Sequence, residues 1–113
     1  MTTKENILNI IRSHKSDIEK FGVKDIGLYG SYVREEQSEE SDIDLLVDLN
    51  PDFEKFDNYM ALYDYLEHLF RGEKVEIVTK SGLSPYIGPK ILNEVVYVDF
   101  TSKSADFTPA ALL

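Results

Sequence analysis

Residues 26–48 run Ile-Gly-Leu-Tyr-Gly-Ser-Tyr-Val-Arg-Glu-Glu-Gln-Ser-Glu-Glu-Ser-Asp-Ile-Asp-Leu-Leu-Val-Asp. The stretch reads as an apolar strand, a Gly30-Ser31 turn, an acidic connector, and a second strand opened by Asp42 and Asp44. Side chains two residues apart on a strand share a face, so the two carboxylates stand about 6–7 Å apart along the backbone. Like charges held that close repel, and a divalent cation converts the repulsion into a site. Gly30 lets backbone approach a ligand closely. Ser31 offers a hydroxyl and an amide where the chain turns into a short helix, a combination that suits a phosphate. A phosphate cradle beside a carboxylate pair points to phosphoryl or nucleotidyl transfer, with metal ions about 3.5–4 Å apart clamping the attacking and leaving oxygens.

Working outward, Ile7, Leu8, Ile10, Ile11, Ile18 and Phe21 recur at helical spacing, which predicts one amphipathic helix over residues 3–21, stopped by Gly22. His14 falls at the edge of that stripe and is expected to pack there. The first strand is expected over 24–29. Glu35, Glu36, Glu39 and Glu40 form a solvated acidic run, to which Arg34 could pair; Ser41 is placed to bond backbone before the second strand. Leu45, Leu46 and Val47 make that strand a buried run, and Asp48, at its far end, belongs to the Asn50-Pro51-Asp52 turn.

The clearest helix is expected over 54–70, with Phe56, Tyr59, Met60, Tyr63, Leu66, Leu69 and Phe70 on its apolar stripe and Gly72 beyond its end. Tyr59, Tyr63 and Tyr65 are expected to pack; His68 lies off the stripe. Residues 74–79 read as a third strand in which Glu76 is the odd residue, costly there unless it faces water, is paired, or binds a metal. A loop at Ser81-Gly82, a helical stretch over 83–93 interrupted by Pro85 and Pro89, and an edge strand over 95–100 follow. Together these give an α/β (α+β) sandwich, a small mixed sheet with helices mainly on one face. Residues 1–100 form one domain and residues 101–113 are expected to be a mobile tail.

Composition narrows the function. The 113 residues suffice for one domain with a real core, but not for a catalytic domain plus a substrate domain, so an acceptor would have to be presented by another molecule. With 21 acidic against 12 basic residues the net charge is −9, which opposes gripping a nucleic acid and suits metal ions or a basic protein partner. There is no cysteine, hence no thiolate site, and no apolar run of about 20 residues. A soluble, cytoplasmic protein is expected.

Gly30-Ser31, ten intervening residues and Asp42-Ile43-Asp44, flanked by apolar strands and with Arg34 between, resemble the signature of the DNA polymerase beta-like nucleotidyltransferase superfamily. Within it the chain, over roughly residues 24–99, is similar to the MNT-type minimal nucleotidyltransferases, the antitoxins of HEPN/MNT toxin–antitoxin pairs. The resemblance implies the nucleotidyltransferase fold; Asp42, Asp44 and Glu76 as catalytic metal carboxylates; Gly30, Ser31 and Arg34 as nucleotide-binding residues; and two Mg²⁺ ions, or Mn²⁺ in their place, with ATP as substrate. Glu76 stands where the family often has aspartate, and Glu35 where it often has glycine. The implied activity is transfer of AMP to a tyrosine hydroxyl of a HEPN RNase toxin, which would also be the hetero-oligomeric partner. The rivals are an antitoxin that works by binding alone, a transferase acting on a small molecule such as an aminoglycoside, and an Asp-x-Asp glycosyltransferase.

Overall fold

Thr3, in extended conformation, accepts a hydrogen bond from the Asn6 amide at 3.2 Å and so caps helix α1, Lys4–Ser13, which buries Ile7, Leu8 and Ile11. These are the first elements of a computed structural model that describes residues 2–98. The single helix expected over 3–21 is instead two. The Ser13 hydroxyl donates to Asn9 O at 2.8 Å and His14 Nδ1 lies 2.8 Å from Ile10 O, engaging carbonyls that serve the helix ladder. The chain breaks at His14 and restarts as α2, Lys15–Glu19, which buries Ile18.

Four strands form one sheet: β1 Val23–Tyr29, β2 Ile43–Leu49, β3 Val75–Thr79 and β4 Val96–Tyr97, in the order β3-β2-β1-β4. β1 runs antiparallel to β2 and β4, whereas β2 and β3 are parallel, so the sheet is mixed as expected. Alternation divides its faces. Ile43, Leu45, Val47 and Leu49 enter the main core with Ile26, Leu28, Ile77 and the buried residues of α1 and α2. Asp44, Leu46 and Asp48 fall on the opposite face; Leu46 is fully buried there, and Asp48 pairs with Lys24 at 3.8 Å.

Helix α4, Phe56–Leu69, closes the main core with Leu62 and Leu66. Its tyrosines pack, as expected: the Tyr59 and Tyr63 hydroxyls donate to Ile77 O at 2.8 Å and Val75 O at 2.7 Å, and Tyr65 donates to Asp17 at 3.3 Å. The buried stripe is narrower at its start than the spacing predicts. Phe56 is 75% and Met60 45% exposed, because the first turn of α4 overhangs a cavity of ≈390 Å³ beyond the ends of β2 and β3, lined by Leu49, Tyr59 and Thr79 among others. The helix expected over 83–93 is shorter and later, α5 at Gly88–Glu94, since Ser84 Oγ holds the Tyr86 and Ile87 amides in a turn and Pro89 suits a first helical turn. β4 lies at the sheet edge. The remainder of the expected edge strand and the tail at 101–113 lie outside the described residues.

Candidate active site

The turn after β1 is set by Gly30, whose φ of +83° is open to glycine and strained for other residues. A side chain here would also collide with the Asp44 carboxylate, so the turn's backbone lies directly against that acid. The Gly30 carbonyl accepts from the Val33 and Arg34 amides at 3.0 and 3.1 Å, which starts the four-residue helix α3, Ser31–Arg34. That helix ends on Glu35 in the left-handed region, φ +60° and ψ +38°. Glutamate thus adopts the conformation for which glycine would be favoured. Ser41 Oγ accepts from the Ser38 amide at 2.9 Å and closes the acidic connector just before β2.

Three side chains line up across the sheet. Asp44 is the register partner of Tyr29 on β1 and of Glu76 on β3, while Asp42 immediately precedes β2. Asp42 and Asp44 are half-buried and Glu76 is exposed. Among the described residues these three carboxylates form no ion pair, and no group of three or more acidic or histidine side chains is drawn tightly enough to enclose a metal ion. Asp44 and Glu76 stand alongside one another across the sheet. Burial, first, and then the charges of Asp42 and Glu76 push the Asp44 carboxyl up from 3.8 to about 6, against the opposing pull of Arg34. Burial followed by Asp44, Glu76 and Glu94 pushes the Tyr29 phenol up to about 12.

Carboxylates are hard oxygen donors of the kind Mg²⁺ takes one or two at a time, with water and substrate phosphates completing its shell, so Asp42, Asp44 and Glu76 are the residues that could hold such an ion. Arg34 does pair with the acidic run: its Nε donates to Glu36 at 3.0 Å. Its Nη1 donates to Glu94 at 3.0 and 3.2 Å, and Glu94 also accepts from the Gly30 amide at 2.7 Å. A cavity of ≈190 Å³ opens here between Tyr29, Gly30, Arg34, Lys90, Ile91 and Glu94.

The nucleotidyltransferase domain family matches residues 6–98. The chain belongs to that family. This nucleotidyltransferase is 46% identical over 101 residues to protein adenylyltransferase MntA of Thermococcus cleftensis, spanning 87% of this chain and 98% of the relative. A solved structure classed with the minimal nucleotidyltransferases is 28% identical and superposes with a TM-score of 0.72, covering 84% of this chain and 95% of that one. A toxin–antitoxin structure with AMP-PNP superposes at 0.61 with 18% identity over 97% of this chain and 90% of that one, a likeness of fold. The resemblance to MNT-type nucleotidyltransferases and the expected fold are both borne out.

Sequence reasoning missed Tyr29 and the two α5 residues of this nucleotidyltransferase, Lys90 and Glu94. Tyr29 could have been found from strand alternation, since it follows Gly27 on the face that Asp44 shares. Glu94 had no local signal: it reaches Gly30 across 64 residues of sequence.

Proposed function

We propose that this chain is the antitoxin of a toxin–antitoxin pair and transfers AMP from ATP to a tyrosine hydroxyl of its partner, a HEPN RNase toxin. The observation that carries the proposal is the row of unpaired acids around Asp44 packed against the Gly30 turn; the 46% identity to a protein adenylyltransferase supports the choice of AMP. Asp42, Asp44 and Glu76 are assigned as the ligands of two Mg²⁺ ions, for which Mn²⁺ could substitute. When bound, such ions neutralise the triphosphate and lower the pKa of the acceptor hydroxyl.

The chain's own part is to bind and orient. The Ser31 hydroxyl and the turn backbone hold the outer phosphates, and the Arg34 guanidinium, released from Glu36, adds a planar pair of donors to them. Glu76 is the exposed member of the row and so the one most accessible to a hydroxyl carried by another chain. The acceptor oxygen bonds to the α-phosphorus, the bond from that phosphorus to the bridging oxygen breaks, pyrophosphate leaves, and the phenol proton passes to solvent. Deep burial is not needed for an acceptor carried on a second folded protein. A hetero-oligomer with the toxin, free of nucleic acid and in the cytoplasm, completes the proposal; among the described residues no helix is long and apolar enough to cross a membrane.

Intact-mass spectrometry of the toxin encoded beside this gene, after incubation with this protein, Mg²⁺ and each NTP in turn, tests it. Mass gains in steps of one AMP with ATP, abolished by Asp42→Asn/Asp44→Asn, are expected. A toxin that is neutralised without any mass gain, by the double variant as well, would mean an antitoxin that acts by binding alone.

A further inference from the structure

Two of the groups proposed to meet nucleotide phosphates, the Gly30 turn and Arg34, are tied to a single carboxylate contributed by an element outside the motif. Glu94, at the last residue of α5, has a side chain only 18% exposed. Its Oε2 accepts from the Gly30 amide at 2.7 Å, and Arg34 Nη1 donates to Oε1 at 3.0 Å and to Oε2 at 3.2 Å. Electrostatically the position is a poor one for an acid, because Glu94 adds to the negative field on Asp44 and Tyr29. What that charge accomplishes is the fixing of two donors.

Gly30 is thereby held at both of its polar groups, its carbonyl by the Val33 and Arg34 amides and its N–H by Glu94. The positive-φ turn that lies against Asp44 is locked from both sides. For Arg34 the issue is direction. Its side chain is 42% exposed and its Nε is already drawn by Glu36 toward the acidic connector. Only the bond to Glu94 brings the other end of the guanidinium back beside Gly30, and a charge-assisted pair of this kind is among the stronger polar contacts a surface group can make.

We infer that Glu94 is a positioning residue of the transfer site: it sets the Gly30 turn and aims Arg34 at the nucleotide's phosphates without itself touching the nucleotide. The inference rests on the nucleotide-binding role proposed above.

Calorimetric titration of Mg-ATP into the full chain, its Glu94→Gln and Glu94→Ala variants, and the same substitutions combined with Arg34→Ala, tests it, alongside the amide resonance of Gly30. Glu94→Gln, nearly isosteric, is expected to weaken Mg-ATP binding about tenfold, the scale of one charge-assisted hydrogen bond. In the Arg34→Ala background the same change should cost about threefold or less, because the part routed through Arg34 is already gone. The Gly30 amide proton should move upfield in Glu94→Ala. Binding that is unchanged or tighter in Glu94→Gln would overturn the inference and make Glu94 an occupant of the phosphate position; an equal loss in both backgrounds with the Gly30 amide resonance unmoved would reduce it to a fold-stabilising contact. If the unsubstituted chain fails to bind Mg-ATP, the nucleotide role itself falls and the inference with it, an outcome distinct from the other two.

Discussion

Asp44 is pressed by burial, by Asp42 and by Glu76, and its carboxyl titrates near 6 in the folded chain against an ordinary 3.8. Between those two values the folded state keeps a proton that the unfolded chain has lost. Stability therefore declines as pH rises from about 4 to about 6 and stays reduced above that window. Asp44→Asn removes the effect. Because the group is half solvated, screening leaves roughly 1 kcal/mol or less of it, equivalent to about 4 °C in Tm for a domain this size. Thermal melts in EDTA should show the variant above the parent at pH 8 and the two coinciding near pH 4; a lower melt for the variant at pH 8 would contradict this account. The neighbourhood of Asp44 was legible in sequence where a strand carried it, as for Glu76 on β3, and the glycine marked a place of close backbone approach, expected for a ligand and found against the Asp44 carboxylate. Glu94 was not, since a contact across 64 residues leaves no periodic trace.

At the scale of elements, the structure departs from periodicity in two places. The apolar spacing of residues 3–21 is continuous, yet the chain leaves helical geometry at His14, φ −112° and ψ +24°, where the Ser13 and His14 side chains engage main-chain carbonyls. Likewise the α4 stripe is helical from Phe56 onward, but no sheet lies beneath its first turn, and periodicity cannot report where the partner surface ends. The end of α3 on Glu35 is the converse case, in which a comparison of residue types flagged the position and the backbone angle explains it. Glu35→Gly should relieve the left-handed strain by about 0.5–1 kcal/mol, partly offset by the greater freedom of the unfolded chain. The exposed pair of Glu35 with Lys4, at 3.7 Å, contributes little by comparison. Chemical denaturation should place the variant's midpoint above the parent's with an unchanged slope; a lower midpoint would show that the lost pair matters more than the strain.

For the whole molecule the open edge of the sheet matters most. Lys74 O accepts from Ile43 N at 2.7 Å, so alternate peptide groups of β3 face β2 and those of Val75 and Ile77 face outward. The Tyr63 and Tyr59 hydroxyls occupy those two outward carbonyls. An edge strand with free acceptors is a template for pairing with another chain, and α4 masks it. Tyr59→Phe/Tyr63→Phe should therefore cost about 1 kcal/mol per lost bond and promote concentration-dependent association, measured by sedimentation velocity. Unchanged stability with a monodisperse profile would show the masking to be incidental. The sheet's mixed character was legible in the strand and helix pattern, whereas this protection was not, because it depends on which carbonyls the register turns outward. The same hydroxyl bonds have a chemical side. If the acceptor is a tyrosine, as proposed, the chain itself carries seven groups of the same kind. Those of Tyr32, Tyr59, Tyr63 and Tyr65 are committed as donors and that of Tyr29 is partly buried, its pKa raised chiefly by that burial, which leaves Tyr86, 93% exposed, and Tyr97 as the phenols most open to a second molecule.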